Sequence, residues 1–115
     1  MPETPPFAAF GWTDLANTEP KGAVHYNEFV RVPDLSAGCY RLPAGSTDPQ
    51  RPHAEDELYY VVRGRSKFLG GDQVVEVGPG SVLYVAKQLE HRFFDITEDL
   101  EILVFFAPAE TKGGA

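Results

Sequence analysis

Short apolar runs separated by glycine and proline recur along the whole chain. Eight of these runs have the length and the β-branched or aromatic content of strands. They occupy residues 24–32, 37–42, 57–62, 66–69, 73–77, 82–85, 91–96 and 101–106. No stretch carries the period of a confident amphipathic helix. The pattern therefore predicts an all-β protein.

The turns between the runs favour a closed barrel. Gly70-Gly71-Asp72 is typical of a hairpin turn, because glycine reaches positive φ without steric cost, and Gly78-Pro79-Gly80 turns the chain again. Eight short strands suit a double-stranded β-helix, the jelly-roll form of a barrel. A chain of 115 residues is long enough for one such core. We expect an arm at 1–20, the barrel at 21–108 and a tail at 109–115.

Apolar residues also occur where a single small barrel cannot bury them. The arm carries Phe7, Phe10 and Trp12, which we expect to pack on the barrel or on a second subunit. The runs 57–62 and 102–106 are apolar on both of their faces. A homodimer that shares a sheet face would cover them.

Charge and composition exclude several classes of partner. Ten Lys and Arg against seventeen Asp and Glu give a net charge of −7, which argues against nucleic acid and anionic lipid as partners. No apolar run reaches the roughly 20 residues of a membrane span, and the N-terminus lacks the pattern of a secretion signal. The expected compartment is the cytoplasm. Cys39 is the only cysteine, which excludes an internal disulfide and thiolate clusters, and we interpret it as a small buried hydrophobe.

Candidate metal ligands lie in two separate segments. His53 and Glu57 are an even number of residues apart, so on an extended strand they point to the same face. His91 begins a second strand-like run that a barrel could bring opposite them. Two imidazole nitrogens and one carboxylate oxygen leave open positions on a metal, which is typical of a reactive centre.

These two segments resemble the cupin superfamily. Its first motif is G-x5-H-x-H-x3-4-E-x6-G and its second is G-x5-P-x-G-x2-H-x3-N. Six residues of this chain keep that register without a gap, namely Gly45, His53, Glu57, Gly64, Gly80 and His91. Four positions depart from it, with Arg51 at the first histidine, Ala86 and Gln88 at the proline and inner glycine, and Asp95 at the asparagine.

The resemblance implies a barrel that holds one divalent ion, Fe, Mn, Ni or Zn, on His53, Glu57 and His91. Tyr59, Phe93 and Asp95 share the inward parity of these ligands and are expected to line a pocket for one small molecule. Arg51 leaves three alternatives open. It turns to solvent, it clamps an anionic substrate group, or it pairs with Glu57 and abolishes metal binding.

Two classes of function fit this reading. The first is a small metal-dependent enzyme of the dioxygenase or isomerase type, as in cupins similar to this chain. The second is a non-catalytic barrel that holds a small ligand or acts as a sensor, which the missing first histidine favours.

Overall fold

A computed structural model describes residues 4–111, and these form an antiparallel β-structure with one short helix. The helix α1 (Trp12–Ala16) was not predicted. The strands are β1 (His25–Val32), β2 (Leu35–Leu42), β3 (Asp56–Gly70), β4 (Gln73–Val77), β5 (Val82–Val85) and β6 (His91–Ala107). The all-β prediction is confirmed. None of the helices in the described part of the chain is long and apolar enough to cross a membrane.

The strand count differs from the predicted eight because two pairs of predicted strands are continuous. The predicted strands 57–62 and 66–69 are halves of β3, and 91–96 and 101–106 are halves of β6. Register shifts between Val61 and Lys67 let β3 bend without ending. Gly64 sits at this bend with φ of +98°, and a Cβ there would lie 2.2 Å from the Asp99 carbonyl oxygen. Gly64, a position of the first motif, thus permits a close crossing of two strands.

The sheet is built around β3. Its order is β1-β2-β6-β3-β4, and β5 pairs with the first half of β3. The turn at Gly71 joins β3 to β4 as predicted, with φ of +62°. Side chains on the inner faces of β2, β3 and β6 form most of the core, which includes Tyr40, Leu42, Tyr59, Val61, Phe68, Phe93, Ile102, Val104 and Phe106.

The paired strands β3 and β6 wrap around the barrel. Glu57 pairs with Phe106 at one end of this ladder, and Gly70 pairs with His91 at the other. The fourteen residues from Glu57 to Gly70 would span roughly 40 Å if the strand were straight. The side chains of Glu57 and His91 nevertheless approach to 3.1 Å. The ladder therefore curls until its two ends face each other across the interior.

The arm packs on the barrel over part of its length. Phe10 meets Phe29 edge to face with ring centroids 5.0 Å apart, and Trp12 Nε1 donates a hydrogen bond to Glu101. Leu15 in α1 is buried. Phe7 is 81% exposed and does not pack on the barrel of this chain, so packing on a second subunit is the alternative that remains for it.

The tail does not begin where we expected. Ala109 and Glu110 are buried, and the Glu110 backbone N–H donates to the Ser36 hydroxyl. Thr111 donates a hydrogen bond to Glu55. Residues 109–111 thus belong to the barrel wall, while residues 1–3 and 112–115 of the predicted arm and tail lie outside the described residues.

Cys39 lies in β2 and is buried, as predicted. Burial raises the pKa of its thiol to about 11, with the Arg41 charge acting in the opposite direction. We expect Ellman's reagent to leave Cys39 unmodified in the folded protein at pH 8, because only the thiolate attacks. The denatured protein should release one equivalent per chain. Rapid reaction of the folded protein would contradict this burial.

Candidate metal centre

Three side chains from distant parts of the chain converge inside the barrel. His53 lies in the loop between β2 and β3, Glu57 is the second residue of β3, and His91 is the first residue of β6. One potential ligand atom from each lies within 4.8 Å of the others. His91 Nε2 is 3.1 Å from Glu57 Oε1, and His53 Nε2 is 4.0 Å from the same oxygen. The fold thus brings together the trio that the motif spacing singled out.

The group is shielded from solvent on all but one side. The side chains of Glu57 and His91 are each 1% exposed, whereas that of His53 is 12% exposed. The interior beside them consists of the aromatic rings of Phe68, Phe93 and Phe106. A small molecule would therefore reach the trio past His53 and meet an apolar wall beyond it.

The outer nitrogen of each imidazole lies beside an oxygen, through a hydrogen bond at His91 and through a close approach at His53. His91 Nδ1 is 2.9 Å from the Leu89 carbonyl oxygen, which can only accept, so Nδ1 donates. His53 Nδ1 is 3.4 Å from Glu110 Oε2. Both rings therefore turn Nε2 inward, and an outer oxygen that orients the ring is the arrangement found around metal-bound histidines.

Two polar residues of the site were missed in the sequence. The Gln50 side-chain oxygen lies 3.2 Å from His91 Nε2 and 3.4 Å from His53 Nε2. Glu110 comes from the region predicted to be a tail. The sequence offers one indication that Gln50 belongs to the site, because it directly precedes the motif position that Arg51 occupies.

Asp48 is a buried anchor for the loop that carries Gln50. Its carboxylate accepts hydrogen bonds from the Tyr40 hydroxyl at 2.5 Å and the Phe93 backbone N–H at 2.9 Å. It also accepts from Gln50 Nε2 at 2.7 Å. These bonds satisfy a buried charge and tie the loop to β2 and β6.

Of the three residues predicted to line the pocket by strand parity, two point inward and one points outward. Tyr59 and Phe93 are fully buried and point inward. Asp95 was expected to share their parity, but it adopts φ of +50° and its side chain is exposed beside Lys67. This single residue breaks the alternation of β6, so Ile96 takes the inward position instead.

Three alternatives were open for Arg51. Its side chain is exposed, which corresponds to the first of them and does not support a role in binding an anionic substrate group. In the same loop, the side chains of Asp48 and Gln50 are directed to Phe93 and His91. Glu57 lies beside the two histidines and not beside a guanidinium.

The His91 imidazole holds its proton more tightly than an ordinary histidine. Burial disfavours the charged ring, but hydrogen bonds to Glu57 and the Leu89 carbonyl, together with the negative charges of Glu57 and Asp48, outweigh it. The net result is a pKa raised above 6.5. The surroundings thus favour a positive charge at Nε2, which a proton or a metal ion can supply.

The Tyr59 hydroxyl remains protonated. Burial and the Glu57 charge raise its pKa well above 10. It lies 2.7 Å from the Gln50 side-chain oxygen and donates to it. Tyr59 therefore serves the site as a hydrogen-bond donor.

The three residues fit a divalent metal by their donor chemistry. Ligand atoms about 2.1 Å from one ion lie roughly 3.0 to 3.4 Å apart, and at most about 4.2 Å apart. The separations of 3.1 and 4.0 Å from Glu57 Oε1 to the two imidazoles fall within that span. Imidazole with carboxylate suits Fe, Mn, Ni or Zn.

Comparison with known proteins finds a family match and a close relative in sequence. Residues 38–106 match the family model described as the cupin domain. Protein SCO3923 of Streptomyces coelicolor, described as uncharacterized, is 46% identical over 86 residues, which cover 75% of this chain and 82% of that protein.

Two solved structures share the fold at low sequence identity. An RmlC-like cupin of Methanocaldococcus jannaschii with a double-stranded β-helix fold has a TM-score of 0.69 and 18% identity, covering 79% of this chain and 85% of that one. The DMSP lyase DddQ of Ruegeria pomeroyi DSS-3 has a TM-score of 0.69 and 18% identity, covering 81% of this chain and 53% of that one.

The buried Glu110 generates a prediction about pH. Burial, followed by the charges of Glu57, Glu55 and Glu28, raises the pKa of Glu110 from 4.5 to about 8. The folded protein then binds more protons than the unfolded chain between these two values. Its stability should therefore fall as the pH rises through that window.

We expect Glu110→Gln, kept metal-free with a chelator, to melt like the native protein at pH 5 and at a higher temperature at pH 8. The amide resembles the protonated carboxyl but cannot ionise. The exposed Glu76→Gln serves as the matched control and should follow the native protein at both values. Parallel melting profiles for Glu110→Gln and the native protein across the window would contradict the raised pKa.

Proposed function

The chain belongs to the cupin family, and from that premise we propose that it binds one divalent metal ion per chain on His53, Glu57 and His91 and acts on a small organic substrate. The observation that carries the proposal is the convergence of these three side chains from two distant segments. Each histidine turns Nε2 toward Glu57. A buried carboxylate at such a place is costly without a cation.

The bound metal would supply Lewis-acid or redox chemistry at open coordination positions, as in isomerases or dioxygenases. The chain's own residues bind and orient. Glu110 and the Leu89 carbonyl hold the two imidazoles from behind. Tyr59 keeps its proton and donates a hydrogen bond inside the site. The apolar rings of Phe68 and Phe93 exclude water around the reacting group.

A non-catalytic ligand-binding barrel is the alternative. It is supported by the departure at the first motif position, where Arg51 is exposed and supplies no imidazole. The apolar wall beside the trio also suits simple retention of a small molecule. Turnover that disappears on chelation and returns with one metal distinguishes the enzyme from the binding module.

We expect the purified protein, loaded with Mn²⁺, Fe²⁺, Ni²⁺ or Zn²⁺ in separate experiments, to bind one ion per chain. His91→Ala should lower the affinity at least tenfold, because a buried imidazole ligand is lost. The control is His25→Ala on β1, outside the proposed site. Elemental analysis after gel filtration gives the stoichiometry. Equal metal content in native protein and His91→Ala, or none in either, would refute the site.

We also propose a homodimer formed through the outer face of β5, β3 and β6. Two apolar rows cross these strands, since Tyr84 pairs with Leu58 and Val82 pairs with Tyr60. All four side chains are exposed, and Leu103 and Phe105 of β6 continue the rows. A second copy placed on this face would bury them. The cytoplasmic location and the absence of nucleic-acid partners stay predictions.

We expect the double variant Leu58→Lys with Val82→Lys to be monomeric at micromolar concentration, because two charges would be buried at the contact. The control is Val74→Lys on β4, which is also exposed but pairs with the far end of β3. Light scattering after gel filtration gives the mass. A native protein that is already a monodisperse monomer would overturn the dimer.

A further inference from the structure

Gln50 presents an oxygen to the same point as the proposed ligands. Its Oε1 lies 3.2 Å from His91 Nε2 and 3.4 Å from His53 Nε2. Atoms bound to one ion at about 2.1 Å are separated by roughly 3.0 to 3.4 Å. Gln50 Oε1 thus stands at ligand distance from both imidazole nitrogens.

Hydrogen bonds determine which end of the Gln50 amide faces inward. Its Nε2 lies 2.7 Å from Asp48 Oδ2, and a carboxylate can only accept. The Tyr59 hydroxyl lies 2.7 Å from Gln50 Oε1. The amide nitrogen is therefore held by Asp48, and the carbonyl oxygen is directed to the centre of the site.

The framework behind Gln50 is rigid. Asp48 is buried and accepts from Tyr40 on β2 and from the Phe93 backbone on β6. The loop around Gln50 is bordered by Pro49 and Pro52, which restrict the backbone. An oxygen fixed in advance by its neighbours loses little conformational entropy when it binds an ion.

The inward atoms around this point all carry lone pairs. His91 Nδ1 donates to the Leu89 carbonyl, so Nε2 of the neutral ring carries a lone pair. Nε2 faces Glu57 Oε1 and Gln50 Oε1, which are both acceptors. Three such atoms at these separations suit one divalent ion.

We infer that Gln50 supplies a fourth ligand, through Oε1, to the metal ion held by His53, Glu57 and His91. Side-chain amide oxygens are known ligands of hard divalent ions. The inference rests on the proposed metal site and deepens it. The coordination position that a histidine at 51 would fill is taken instead by the residue before it, because Arg51 faces solvent.

The experiment titrates metal-free protein with Co²⁺, whose visible absorption responds to the number and type of its ligands, and with Zn²⁺ against a competing chelator. The native protein is compared with Gln50→Ala, Gln50→Leu and Arg51→His. We expect Gln50→Ala to lose at least tenfold in affinity and to change the Co²⁺ spectrum. Gln50→Leu should lose affinity to a similar extent, since it fills the space but offers no oxygen.

Arg51→His is the matched control, because it alters the neighbouring residue and offers an imidazole at the motif position. Its affinity should stay within twofold of the native value, since residue 51 faces solvent. Gain of tenfold or more in this variant would assign the fourth position to residue 51 and overturn the inference.

The remaining outcomes separate this inference from the proposed function. If the native protein binds Co²⁺ and Gln50→Ala gives the same affinity and spectrum, Gln50 is not a ligand while the three-residue site stands. If Gln50→Ala does not fold, Gln50→Leu decides, and unchanged binding by it overturns the inference. If the native protein binds neither metal, both the site and the inference fail.

Discussion

The wrapping of the β3–β6 ladder is the constraint on which the rest of the molecule depends. Pairing from Glu57 opposite Phe106 to Gly70 opposite His91, with three register shifts between these ends, arranges half of the barrel. The bulges in β3, together with Gly64 against the Asp99 carbonyl, allow this ladder to curl. Because the ladder curls, its two ends meet. The approach of Glu57 to His91 is therefore a consequence of curvature, and a straight ladder would leave these two side chains far apart.

The curl of the ladder brings polar side chains into an apolar interior, and their need for hydrogen-bond partners is a second constraint. Several groups that accept hydrogen bonds meet in an interior of aromatic rings, where an unpaired charge is costly. The structure meets this demand with an ordered set of donors. Tyr40 and the Phe93 backbone hold Asp48, Asp48 holds the Gln50 amide, and Tyr59 donates to its oxygen. The centre still favours a positive charge, as the raised pKa of His91 indicates.

Two residues that the motif pattern does not specify complete the site, Gln50 within the first motif and Glu110 beyond the second. Glu110 reaches His53 from a region with no strand signal, and Gln50 lies one residue away from the motif position. Neither could be predicted from spacing, because a loop residue has no fixed parity. The prediction for Asp95 failed in the opposite way. Regular alternation along β6 predicted an inward side chain, but a bulge interrupts the alternation at this residue and the side chain is exposed. Parity is reliable only while strand geometry is continuous.

The sequence by itself determined the all-β class, the cupin barrel and the His53, Glu57 and His91 trio, since glycine-punctuated apolar runs and motif spacing are local properties of the chain. It also determined the burial of Cys39. The number of strands, the outward turn of Arg51 and the inward turn of Gln50 were decided by tertiary structure alone. The physical reason is that bulges and loop anchors depend on hydrogen bonds between residues far apart in sequence, such as Asp48 with the Phe93 backbone.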